Sequence, residues 1–204
     1  MSDPARDEAG FSAPDALSPE RLRGLSHPLR VRILTILQAR GALTATGLAR
    51  LVGESSGSTS YHLRQLARHG FVNEVEGRGT ARERWWEAAR GGFTISPDAA
   101  DDVGTASAKN MVNAEFERAR QENIWRVLRW TPDQSADAEE WRDAVTLRTS
   151  HLFATPAQMR ALIAAVNRFI DEQTEDLRDQ EGTPGARPVE VHFNALPVLE
   201  DDAR

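Results

Sequence analysis

From Pro28 onward, Leu29, Ile33, Ile36 and Leu37 fall at i, i+4, i+7 and i+8, a single helical stripe, and Gly41 stands just past Gln38 to Arg40 as a stop. This spacing predicts an amphipathic helix over 28–39, opened by the cap-like Ser26-His27-Pro28 and preceded by a second start at Ser18-Pro19. A short helix is expected next, capped by Thr44 or Thr46 and burying Leu48, Leu51 and Val52, with Gly53 supplying the positive φ of a tight turn. Ser55 or Ser56 caps its successor. There Thr59, Leu63 and Leu66 at i, i+4 and i+7 face inward, which leaves Gly57, Ser60, Tyr61, Arg64, Gln65 and Arg68 on the opposite side. Two short helices about a glycine-bearing turn make a helix-turn-helix, and the second displays small, polar and arginine side chains.

Gly70 closes that helix. Residues 71–76 and 82–87 then flank Gly77-Arg78-Gly79-Thr80-Ala81, the pattern of a β-hairpin with a glycine-rich tip. Its tip and second arm carry Arg78, Thr80, Arg82 and Arg84, so the hairpin can reach a phosphate backbone beside a groove-bound helix. A hairpin used in this way is a wing.

Beyond Asp101-Asp102, residues 105–130 carry Val112, Phe116, Ala119, Ile124, Val127 and Leu128 as one long helical stripe ending near Trp130-Thr131-Pro132. A polar loop follows. Val145, Leu147, Thr149, His151 and Phe153 then alternate with more polar positions, as in a half-buried strand. Thr155-Pro156 starts a helix to about residue 178, with Met159, Leu162, Ile163, Val166, Phe169 and Ile170 on one face. Val189, Val191, Phe193 and Ala195 alternate again. The chain as a whole is thus expected to be α+β: a tail over 1–17 too polar to order, a winged helix-turn-helix over 18–96, a long helix over 105–130 and a small α+β module over 141–200.

Composition sharpens this picture through charge. The 204 residues carry a net charge of −6, but residues 21–92 hold twelve Arg against five Glu, or +7, whereas residues 93–204 hold twelve basic groups against twenty-one acidic ones, or −9. Such segregation fits a polyanion-binding module joined to a segment that binds none. With no cysteine in the chain, disulfides, thiolate metal sites and cysteine nucleophiles are excluded. The five histidines include no pair at i, i+4, and His62 and His69 stand about 10 Å apart along one helix, too far to share an ion, so no metal or other cofactor is expected. Asp171, Glu172, Glu175 and Asp176 lie together on a helix without a partner base or a phosphate loop, so no enzyme is expected either. No apolar window approaches a membrane span, and a cytoplasmic protein is expected.

Segment 21–95 resembles the DNA-binding domain of the ArsR-type winged helix-turn-helix transcriptional regulators, through LSHPLRVRILTIL, LARLVGESSGSTSYHLRQLARHGFV and EGRGTARERWW in order and spacing. The resemblance implies that the helix from Ser56 to Arg68 enters the major groove of double-stranded DNA, with contacts from Ser56, Ser60, Tyr61, Arg64 and Gln65. His62 would hydrogen-bond backbone or DNA. Metal-sensing members bear a Cys pair or a His/Asp cluster, and this chain departs from them. In regulators of this kind the helix after the wing commonly pairs with its mate, which assigns a homodimer to Val112, Phe116, Ala119, Ile124 and Leu128; packing of that helix on its own domain is the alternative. A small apolar effector in a pocket lined by Trp125, Trp130 and Trp141 is the other partner considered, against the simpler role of core or interface aromatics. The rival to a DNA-binding repressor is a winged-helix module that docks a protein and binds no DNA. The arginines of the helix and wing favour the former.

Overall fold

In the computed structural model, which describes residues 17–80, 83–89, 93–95, 101–131, 137–177, 180 and 182–199, a side chain caps every helix of the first half. Helix α1 (Pro19–Leu25) is capped by Ser18, whose hydroxyl accepts from Arg21 N at 3.3 Å. Helix α2 (Pro28–Arg40) has His27 as its cap, with Nδ1 accepting from Leu29 N at 3.2 Å. Strand β1 (Leu43–Thr44) leads into α3 (Ala45–Val52), where Thr44 Oγ1 accepts from Gly47 N at 3.1 Å. Ser55 opens α4 (Ser56–Arg68) by accepting from Ser58 N at 3.1 Å. Each cap satisfies one of the amide donors that a helix start leaves without an intrahelical partner.

Strands β2 (Val72–Thr80) and β3 (Glu83–Ala88) form the wing, and β1 adds to the other edge of β3 in an antiparallel sheet of order β1-β3-β2. Leu43 pairs with Trp86 and Thr44 with Trp85. Two residues are too few to show any periodicity, so β1 left no signal in the sequence. Helices and sheet enclose one core of Leu25, Ile33, Leu34, Leu37, Leu48, Leu63, Leu66 and Trp86. Val31 and Leu34 are buried in α2, outside the stripe expected there, because α2 packs on both α3 and α5 and is covered on more than one side. Leu17, placed by its sequence in a polar tail, is buried, and its amide donates to Thr94 O at 3.1 Å; residues 1–16 lie outside the described residues.

Helix α5 (Val103–Leu128) starts at Asp102, whose carboxylate accepts from Thr105 N and from the Thr105 hydroxyl, both at 2.9 Å; these bonds hold its pKa below the usual carboxylate range. Lys109, the only lysine, meets Asp101 at 2.7 Å with both side chains nearly covered. Val112 is fully buried, and Phe116 packs on the same core, 5.6 Å from the Phe93 ring. Both side chains therefore meet the domain's own core, the alternative the sequence left open: this part of the stripe closes that core against α1 and α2. Periodicity marks an apolar face without saying whose apolar face meets it.

The chain divides into two compact units, with the boundary between Thr146 and Leu147. The first also holds helix α6 (Ala138–Asp143), tied to the end of α5 by Arg142 Nη2 donating to Trp130 O at 3.0 Å. The second is built on helix α7 (Pro156–Thr174), opened by a capping box in which Thr155 and Gln158 bond each other's backbone, and continued by a single 3₁₀ turn, Glu175–Leu177. The strands expected over 145–153 and 189–196 do not form. Their alternation is real, but a strand needs a partner for its backbone and a surface for its apolar side; Leu147, Phe153, Val189 and Val191 are exposed instead. The apolar face of α7 is only partly covered, with Leu162 and Phe169 exposed and Met159, Ile163, Val166 and Ile170 half-buried, and no residue of that helix is buried.

Candidate nucleic-acid interface

The inner side of α4 is Thr59, His62, Leu63 and Leu66, all buried, at i, i+3, i+4 and i+7. The Thr59 hydroxyl donates to Ser55 O at 3.0 Å, so even the polar member of this face is satisfied locally. The outer side therefore comprises Ser56, Gly57, Ser60, Tyr61, Arg64, Gln65 and Arg68, and Tyr61, Arg64 and Arg68 are exposed. Gly53 fixes the angle from which α4 leaves α3: its φ is 75°, with open space where a Cβ would lie. Arg32 of α2 donates to Val52 O at 3.3 Å and Leu51 O at 3.5 Å, placing a cation on the C-terminal carbonyls of α3 and locking α3 against α2.

An open cleft of about 430 Å³ lies between the start of α3, the start of α4 and β3, lined by Thr44, Ala45, Thr46, Ser56, Ser60, Arg64, Glu83, Arg84 and Trp86. Two helix N-termini border it, and their free amides favour an anion. Arg64 from the helix and Arg84 from the wing stand on the same cleft, which makes the two elements one continuous surface. Hydroxyls, amides and two guanidinium groups are the donors a phosphodiester backbone needs.

The wing is irregular for a definite reason. Glu74 faces Trp86 and Gly79 faces Arg84, so β2 spends more residues than β3 over this stretch, and Gly77 takes up the bulge with φ at 72°. Arg78 lies in the bulge, its guanidinium 4.0 Å from the centroid of the Trp85 ring. Arg84 Nη1 donates to Glu74 Oε2 at 3.0 Å in an exposed pair. Of the other wing residues singled out by sequence, Thr80 contributes backbone to β2 and Arg82 lies outside the described residues.

One expected contact residue is misplaced by its sequence. His62 is 9% exposed and turned inward, its ring 4.5 Å from that of His27 and 5.2 Å from that of Tyr61. Its Nδ1 is buried without a hydrogen bond. Burial first, then the neighbouring His27 and Arg30, lower its pKa, while Glu54 pulls the other way. It supports the contact face from behind and does not belong to it. The tilted His27–His62 ring contact left no sign in the sequence, because one ring caps α2 and the other stands on α4.

The tryptophans proposed for an effector pocket are dispersed in exposure: Trp125 is 59% exposed on α5, while Trp130 and Trp141 are half-buried near the α5–α6 connection. Ala119 and Ile124 are half-buried, while Trp125 and Leu128 toward the end of α5 are more than half exposed. Among the described residues, no group of three or more His, Cys, Asp or Glu is placed to hold a metal ion, and no helix is long and apolar enough to cross a membrane.

Residues 25–75 match a family model described as a helix-turn-helix domain. No curated protein matches the chain. Among solved structures, a mutant of Lactococcus lactis ZitR in apo form is similar at 12% identity, covering 58% of this chain and 80% of that one with a TM-score of 0.31. Wild-type MarR from E. coli is similar at 14% identity over 63% of this chain and 89% of its own, with a TM-score of 0.30. A mutant MarR from E. coli complexed with operator DNA gives 14% identity, 63% and 86% coverage and a TM-score of 0.29. Likenesses at these scores carry nothing for function. The chain's own residues do: they make a winged helix-turn-helix.

Proposed function

We propose that this protein is a sequence-specific DNA-binding transcriptional regulator of ArsR-like type, a repressor acting as a homodimer. The observation that supports this best is the cleft on which Arg64 of α4 and Arg84 of the wing meet between two helix N-termini. In this reading α4 enters the major groove, with Ser56, Gly57, Ser60, Tyr61, Arg64, Gln65 and Arg68 facing the DNA. The wing, through Arg78, Thr80, Arg82 and Arg84, holds the backbone or the adjacent minor groove. The later part of the α5 stripe, with half-buried Ala119 and Ile124 and exposed Leu128, supports dimerisation. Two copies would then read half-sites about one helical turn apart, ~34 Å. An effector, if bound near Trp125, Trp130 and Trp141, is small and apolar, and it releases DNA only by binding better to a dimer whose spacing is wrong.

A gel shift with the DNA upstream of the protein's own gene, competed by unlabelled DNA of unrelated sequence, tests the reading. A shifted band that survives unrelated competitor supports it. Loss of the band to equal amounts of any duplex contradicts sequence-specific binding.

A further inference from the structure

The two described wing arginines are held by chemically opposite partners. Alternation along β3 puts Trp85 on the face opposite Arg84 and Trp86. On that face the Arg78 guanidinium lies 4.0 Å from the Trp85 ring centroid, a cation–π contact. Stacking uses the flat face of the guanidinium and leaves its donors, which lie in the plane, pointing outward from the edge. Arg78 is exposed, so those donors face solvent at the wing. Arg84 instead gives one of its five donors to the Glu74 carboxylate at 3.0 Å, in an exposed pair that offsets its charge. The first contact orders an arginine without consuming what binds phosphate. The second leaves Arg84 its other donors but sets a carboxylate in competition with phosphate.

We propose that Trp85 is a positioning residue for DNA binding, its indole holding the Arg78 guanidinium stacked and edge-out toward a phosphate, while Glu74 restrains Arg84 in the opposite sense. This rests on the DNA-binding reading above. A free arginine loses rotamer freedom when it binds; one already stacked on a ring held by the β1–β3 pairing has lost much of it beforehand. Removing the indole should therefore cost affinity although the indole touches no phosphate.

The test is a double-mutant cycle on the full chain, read by fluorescence anisotropy with a labelled mixed-sequence duplex of about three helical turns. Trp85→Leu and Arg78→Ala should each weaken binding by a like factor, roughly threefold to tenfold, and the double variant should lose no more than either. Arg78→Ala should make the slope of log affinity against log salt shallower by about 0.9, the share of one phosphate, while Trp85→Leu, which keeps the cation, should change it less. Trp85→Phe, which keeps an aromatic face and guards against a folding defect, should fall between wild type and Trp85→Leu. Glu74→Gln should move affinity the other way. Without DNA, the Arg78 side-chain NMR signals should sit upfield in wild type and return toward ordinary values in Trp85→Leu. Wild-type binding left unchanged by Trp85→Leu, or a further loss when that change is added to Arg78→Ala, overturns the proposal while leaving DNA binding intact. Failure of wild type to bind the duplex at all, with the upfield signals present, overturns the DNA reading itself and this role with it.

Discussion

Gly24 and His62 are the residues on which the geometry of the contact helix turns, and neither touches the contact face. A Cβ at Gly24 would stand 2.6 Å from His69 Cβ and 2.9 Å from Phe71 Cε2, so α1 can lie on the end of α4 only because residue 24 has no side chain. Gly24→Ala is expected to destabilise the fold by about 1–3 kcal/mol, the usual cost of overpacking, seen as a lower urea midpoint at unchanged slope. An unchanged midpoint would show that α1 is free to shift. His62 is expected to make the fold acid-sensitive. Its pKa is lowered in the fold, so below the ordinary value of 6.5 the unfolded chain binds the proton more readily than the folded one. Its contribution to stability is therefore complete above that value and is lost as the pH falls below it, until the folded His62 itself takes up a proton. The groups that face it are His27 at the cap of α2 and Arg30 within that helix, which oppose its charging, and Glu54 before α4, which favours it. Stability measured between about pH 7 and pH 5 should fall less steeply in His62→Gln than in wild type. Parallel curves for the two proteins would remove His62 as the cause.

At the level of elements, α4 and the wing should control different properties. Gln65→Ala and Arg64→Ala should alter which sequence is preferred, since a base-edge contact is worth about 1–3 kcal/mol at one base pair, whereas Arg78→Ala should weaken all sequences alike. Binding to a panel of single-base variants of the bound sequence separates the two. If neither α4 substitution changed the ranking, α4 would not be the reading helix. Helix α5 gives a second contrast. Phe116→Asp puts a carboxylate against Phe93 and the domain core, so it should lower the unfolding midpoint of the winged helix whatever the oligomeric state. Leu128→Asp changes an exposed position and should shift the sedimentation of a dimer toward monomer with little effect on that midpoint. A loss of stability in Leu128→Asp equal to that in Phe116→Asp would contradict this division of the helix.

These elements also show what the amino-acid sequence discloses and what it withholds. Caps at Ser18, Thr44 and Ser55, the turn at Gly53 and the inner face Thr59, Leu63 and Leu66 are local features, written within a few residues of where they act, and they were legible. The wing was legible in outline, although its bulge carries β2 as far as Thr80. Contacts between distant segments were not: the His27–His62 ring contact, Arg32 on the carbonyls of α3, and Trp85 beneath Arg78 pair residues whose spacing in sequence carries no period. The partner of Val112 and the fate of the alternating segments near 150 and 190 were illegible for a related reason. An apolar face states that something covers it and leaves the cover unnamed.

For the whole molecule, charge is the deciding property. The positive +7 of residues 21–92 is confined to the segment that forms the helix-turn-helix and wing, and a net −9 occupies the remainder beyond it, so the chain's overall acidity of −6 does not oppose DNA binding at the site. Each phosphate neutralised adds about 0.9 to the dependence of log affinity on log salt, and a dimer presenting two such surfaces should show a steep slope. The most direct measurement is the affinity, across a range of salt concentrations, for the DNA upstream of the protein's own gene and for a scrambled duplex of equal length, in wild type and in Arg64→Ala. The account predicts steeply salt-dependent binding to both, tighter on the upstream sequence, with that preference reduced by Arg64→Ala. Affinity that ignores salt, or that is equal for the two duplexes in wild type, would contradict it.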